Sequence, residues 1–246
     1  MLNYIKADLY RIMTRPTFYI WPLLLAALPA AMIAGAGGMY PAGVILAAIP
    51  ALVYAAFCLM ALILTEHTFR EDMQLGLYKN DMAGGASRSA VYIAKLITGI
   101  LLLALLWAVC SLSCIVSASY WLGGDSGLSL LKDMASLQAA SLFLRVNVFL
   151  AVFQAISIVF KKTSALILVY IAISAAMAYA MKWLGAAWPG LAGFIKHIAG
   201  FGAYGNFGAA AGAPHAAGGV ALLLAPAACI IVLAAIGSMM FEKKEF

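Results

Sequence analysis

Apolar residues run along this chain in long blocks, and the charged residues that separate them mark where helices end. Between Arg15 and Glu66 there is no Asp, Glu, Lys or Arg, a gap of 50 residues. An α-helix needs about 20 apolar residues to cross the ~30 Å hydrocarbon core of a bilayer. With Gly35, Gly37, Gly38, Pro41 and Gly43 near its middle, the gap predicts two spans, 17–35 and 42–64, joined by a tight turn. Further charge-free gaps predict spans at 93–118, 163–181 and 217–240. Arg145 and Lys161 leave only 15 residues between them, about 22 Å of helix at ~1.5 Å per residue. That span must therefore extend upstream, to 141–160, with Arg145 snorkelling towards one interface. The expected fold is all-α and polytopic: a single transmembrane domain of six helices.

Composition supports this pattern. Hydrophobic residues make up 66% and charged residues 10% of the 246, with a mean hydropathy of +1.03; a soluble domain carries about 25% charge. The formal charge of +6 then reports topology and headgroup contact rather than nucleic acid. With both termini inside, eleven of the fifteen basic residues fall on the cytoplasmic side, leaving Lys132, Arg145, Lys182 and Lys196 outside. Trp121, Trp183 and Trp188 gather at the outer boundary as an aromatic belt. The four cysteines all lie in apolar stretches and are expected to be buried hydrophobes.

The segments between spans carry the functional signal. Residues 1–15 predict an amphipathic interfacial helix, with Leu2, Ile5, Leu9, Ile12 and Met13 on one stripe. Its basic residues, Lys6, Arg11 and Arg15, are expected to meet headgroups. The loop at 65–92 concentrates Glu66, Arg70, Glu71, Asp72, Lys79, Asp81 and Arg88 among apolar positions. A mere connection needs only a few residues, so this segment suits docking on a soluble partner. Residues 185–216 are rich in glycine, and Trp188 and Phe194 sit where a short helix could dip into the outer leaflet. In span four, Asn147 and Gln154 are candidates for interhelical hydrogen bonds or for a substrate pathway. His197 and His215 lack a third ligand nearby, so a metal site is not expected.

Several motifs resemble one family. The segment Ile5-Lys-Ala-Asp-Leu-Tyr-Arg-Ile12, Arg15-Pro16, the acidic Glu71-Asp72 followed by Gly76 and Lys79-Asn80, Ser87-Arg88 before Lys95, and the tail Phe241-Glu-Lys-Lys are similar to permease subunits of ABC-2 type ABC transporters. In size and layout the chain resembles lantibiotic-immunity and phenol-soluble-modulin exporter permeases. The resemblance implies that 65–92 forms a coupling segment seated on a separate ATPase, with Arg70, Glu71, Asp72, Gly76 and Lys79 as contacts. It also implies a re-entrant segment before the last span, acting as a gate, and a bacterial cytoplasmic membrane as the location. A second permease copy, identical or a close paralogue, is expected to complete the pathway across a two-fold axis. No G-x-x-x-x-G-K-[ST], H-E-x-x-H or G-x-S-x-G occurs. The chain is thus expected to bind no cofactor and to catalyse nothing, with ATP and Mg held by the partner. The expected function is export of amphipathic peptides or toxic hydrophobic compounds; the alternative is a non-transporting sensor or scaffold that docks a cytoplasmic protein.

Overall fold

In the computed structural model, residues 2–36, 39–77, 82, 84–159, 168 and 219–243 are described. Among them every regular element is a helix. The order is α1 (Leu2–Met13), a 3-10 turn at Pro16–Tyr19, α2 (Ile20–Ala36), α3 (Ala42–Thr65), a π-helical turn at Glu66–Arg70, α4 (Glu71–Gln74), α5 (Arg88–Trp121), α6 (Gly124–Met134), α7 (Leu137–Val159) and α8 (Gly219–Lys243). Four stretches are long and apolar enough to cross a bilayer: Leu52–Gln74, Arg88–Trp121, Ala139–Val159 and Pro226–Lys243. This marks the chain as a membrane protein. The apolar α2 is shorter, at 17 residues, or about 26 Å of helix. The fifth predicted span, 163–181, and the segment at 185–216 with Trp188 and Phe194 lie outside the described residues, Leu168 excepted.

Helix ends differ from those expected. The third span starts at Arg88, because the Ser87 side chain accepts a hydrogen bond from the Ala90 amide at 3.3 Å and so caps the helix. The second span does not stop at residue 64. Its helix runs on through the charged residues to Gln74, because Glu66 and Arg70 pair across one turn at 2.6 Å. The Thr65 and Thr68 hydroxyls donate to the carbonyls of Ala61 and Leu64 at 2.8 and 2.7 Å. Such back-bonding bends a helix, and a π turn follows where the ladder loosens. The helix α6, between α5 and α7, was not expected from the sequence. The left-handed backbone of Gly123, φ 96°, turns the chain into it, and Gly127 lies against Ser119, where no Cβ would fit.

The packing is built around α5 and α7. Helix α2 leans on α5 and barely meets α3, while α3 and α8 both pack on α7. Phe57, Trp107, Phe143, Phe149 and Phe153 join α3, α5 and α7 in one apolar core. An apolar cleft of about 240 Å³ opens between α2 and α3, lined by Leu25, Pro29, Ile33, Ile49, Val53 and Cys110. Pro29 inside α2 and Pro226 inside α8 are tolerated, as is common where neighbouring helices support the backbone. At one end of the bundle a second cluster joins three elements: Phe69 from the π turn, Tyr92 from α5 and Phe241 from α8. The Phe69 ring centre lies 5.5 Å from that of Tyr92 and 5.7 Å from that of Phe241. The Tyr92 and Phe241 rings are 6.0 Å apart, so all three pairs fall within aromatic contact range. Glu242 completes this contact: its carbonyl accepts from Arg88 at 2.8 Å, and its carboxylate accepts from the Ser89 hydroxyl.

Candidate functional site

Next to this aromatic cluster, charge is buried rather than exposed. Helix α1 turns Ile5, Asp8 and Ile12 inward, a stripe at helical spacing that contains a carboxylate. Helix α4 turns Asp72 inward, and Lys95 projects from the second turn of α5. Asp72 and Lys95 are each 1% exposed. The Lys95 ammonium lies 2.5 Å from Oδ2 of both Asp8 and Asp72. The Arg11 guanidinium lies 2.5 Å from Asp72 and 3.2 Å from Asp8. Two anions and two cations thus form a closed quartet joining α1, α4 and α5. Tyr4 adds its ring 5.8 Å from the Lys95 nitrogen, a cation–π distance.

A second, more open layer flanks the quartet. Arg15 donates to Glu71 at 2.5 Å, and His67 lies 3.7 Å from the same carboxylate. Glu71 and Asp72 are neighbours on α4 but reach different targets: Glu71 holds the residue before the Pro16 turn, and Asp72 holds α1 and α5. The hydrogen bond to Asp72 raises the Arg11 pKa above its ordinary value, aided by the charges of Asp72, Asp8 and Glu71 and opposed by burial. Arg11 therefore stays a permanent cation in this contact. A buried pair of this kind adds little net stability over an apolar replacement, because desolvation offsets attraction; removing one partner is what costs. The ion pairs here join α1, α4 and α5.

The expected site residues fall into three groups. Arg70 and Asp72 are buried and paired within the chain, Arg70 with Glu66 and Asp72 in the quartet. Glu71 is one-third exposed. Gly76 has φ 68° and ends the α4 segment in the left-handed region. Lys79 lies outside the described residues. Of the interfacial cations, only Lys6 is exposed; Arg11 and Arg15 are drawn inward by Asp72 and Glu71. Along the stripe of α1, Leu2 and Met13 are exposed, and Ile5 and Ile12 face protein. Gln154 donates across helices to the Tyr92 carbonyl at 3.0 Å. Asn147 donates within α7 to the Phe143 carbonyl at 2.8 Å, and its buried Oδ1 accepts nothing. Neither side chain is placed among the residues that line the apolar cleft.

Sequence reasoning missed Asp8 and the partner role of Lys95. The signal was present: Asp8 interrupts the Ile5–Ile12 stripe, and Lys95 falls inside an apolar run. The Gly76 turn gives a direct check. A Cβ there meets nothing within 4 Å, so Gly76→Ala costs only the left-handed backbone penalty, about 1 kcal/mol. Gly76→Asn, which tolerates that region, should cost less. Thermal unfolding in detergent measures both.

No protein-family model matches this sequence, and no curated protein matches it. Among the described residues no group of three or more His, Cys, Asp or Glu could hold a metal ion.

Proposed function

We propose that the chain is the membrane subunit of an ATP-driven exporter, powered by a separate ATPase that docks at the turn following α4. The observation that carries this reading is the junction at Glu71–Asp72. One short segment, continuous with a membrane helix, grips α1, α5 and, at Arg15, the connection that leads from α1 to α2 through ion pairs at 2.5 Å. A push on that segment reaches two helices and the connection ahead of a third at once, which suits a subunit whose energy arrives from outside the chain. Leu75, next to Gly76, is 63% exposed and offers an apolar contact at the tip. The resemblance of the sequence motifs to ABC-2 permeases points the same way. On this reading both termini are cytoplasmic, the location is a bacterial cytoplasmic membrane, and a second permease completes the pathway. The cargo is amphipathic or hydrophobic, in keeping with the apolar spans.

Co-purification of an ATPase with this chain, and stimulation of its ATP hydrolysis by an amphipathic peptide, test the proposal. A scaffold subunit would bind its partner without cargo-stimulated hydrolysis. Leu75→Glu should weaken ATPase capture by about tenfold or more while leaving thermal stability within about 0.5 kcal/mol, as expected of an exposed position. Unchanged capture would remove Leu75 from the docking surface.

A further inference from the structure

We infer that Asp8, Arg11, Asp72 and Lys95 act as one charge-neutral clasp that decides whether α1 stays docked on α5 or lifts away. Three observations lead there. First, the buried face of α1 has a carboxylate at its centre: Ile5 and Ile12 are buried, Tyr4 and Leu9 are half-buried against apolar clusters, and the third buried position is Asp8. A carboxylate gains nothing from an apolar neighbour, so this face needs the charges of Lys95 and Arg11 as well as its apolar contacts. Second, the outer side of α1 keeps Leu2, Tyr10 and Met13 exposed beside Lys6. The helix therefore carries a second set of contacts, suited to an interface, that the docked arrangement leaves unused. Third, the quartet is not saturated. Asp72 Oδ1 and Arg11 Nε are both buried and make no hydrogen bond. A partly satisfied buried network is held less tightly than a fully paired one.

Neutrality is what makes the four side chains a unit. Two carboxylates balance two cations, with Lys95 shared between both acids and Arg11 between both acids. Asp8, Asp72 and Lys95 are enclosed while Arg11 opens to solvent at one side. Loss of one charge among the enclosed three therefore leaves an uncompensated buried ion, and the easiest relief is for α1 to move off and admit water. Loss of one anion and one cation together leaves a matched pair and no reason to open. Displacement of α4 by a docked partner withdraws Asp72 and has the same effect as deleting it. That regulatory use rests on the docking proposed above; the clasp itself does not.

The test reads α1 directly and needs neither ATPase nor cargo, so its failure is distinct from failure of the exporter reading. Cys58, Cys110 and Cys114 are buried, so a Cys229→Ala background is quiet. Ile5→Cys and Ile12→Cys serve as parallel reporters for a water-soluble maleimide in native membranes. Both should label slowly in that background. Lys95→Met should speed labelling by at least about tenfold, and Lys95→Met combined with Asp8→Asn should return it towards the starting rate. If Lys95→Met fails to accumulate while the double variant does, charge balance is again the controlling factor and the clasp stands. Fast labelling before any charge is removed, no acceleration in Lys95→Met, equal acceleration in the double variant, or loss of both variants from the membrane would each overturn it.

Discussion

Asp72→Ala should lower stability by about 3–5 kcal/mol, the cost of stranding buried charge. Removing this carboxylate leaves Arg11 and Lys95 to share Asp8 alone, in a pocket where Lys95 is almost wholly enclosed. Lys95 cannot reach water without moving α1 or the start of α5, whereas the Arg11 side chain is already 30% exposed. Glu71→Ala, one residue away, sets the scale. Its partner Arg15 and Glu71 itself are each one-third exposed, and solvent screening holds such a pair to about 0–1 kcal/mol. Adjacent acids on one helical turn are thus expected to differ severalfold in effect. Thermal unfolding of the two variants in the same detergent, read by tryptophan fluorescence, makes the comparison. Similar losses for both would mean that Asp72 is no more enclosed than its neighbour. Asp72→Asn separates shape from charge: it keeps the volume and a hydrogen-bonding group, yet should recover little if the missing negative charge is the cause.

The parts of this fold that hydropathy fixes were legible in the chain. The uncharged run from Pro16 to Thr65 had to hold two apolar helices, and α2 and α3 occupy it. The runs ahead of Trp121 and Val159 likewise hold α5 and α7, and the last holds α8. Where helices end was less legible, because charge was taken as a stop. Glu66 and Arg70 show why that rule fails: spaced four apart, they pair with each other and carry the helix onward instead of ending it. Helix α6 was missed for a related reason. Its polar residues Asp125, Ser126, Ser129, Lys132 and Asp133 leave no apolar run to mark it, whereas Gly127 and Leu130, three apart, are the positions that bury.

At the site, the sequence singled out Arg11, Glu71 and Asp72 but not their partners within the chain. The reason is distance along the chain. Asp8 and Lys95 are partners across 87 positions, and no periodicity within either segment reports the other. A charged residue considered alone is most readily solvated. Only a second charge of opposite sign on a helix packed against it makes burial acceptable. Pro16 and the 3-10 turn that follows it supply the missing step, since they change the chain direction between α1 and α2 and let α1 lie on α5.

Gly237→Ala is expected to cost about 1–3 kcal/mol, although it is the smallest substitution available in a membrane helix and improves helix propensity. The reason lies across the interface with α5. The phenol of Tyr92 occupies the space where a Cβ on residue 237 would stand, with Oη, Cζ and Cε1 all inside contact distance. The Tyr92 ring is fully buried and wedged against Phe69 and Phe241, so it cannot swing aside as an exposed side chain would. Its Oη makes no hydrogen bond, which means that close packing rather than polar contact holds it there. Tyr92→Phe should therefore be tolerated alone but should rescue Gly237→Ala only in part, because the ring edge still meets the added methyl. Tyr92→Leu, shorter by most of a ring, should relieve the clash while giving up aromatic contact with Phe69 and Phe241. In a double-mutant cycle, Gly237→Ala should then cost less in the Tyr92→Leu background than alone, with a coupling of about 1 kcal/mol or more. Strict additivity of the two changes would mean that α8 approaches α5 less closely at this point than the structure has it. The same cycle bears on the clasp, since Tyr92 lies one turn of α5 before Lys95: a shift of α8 that displaces Tyr92 should also raise maleimide labelling at Ile12→Cys.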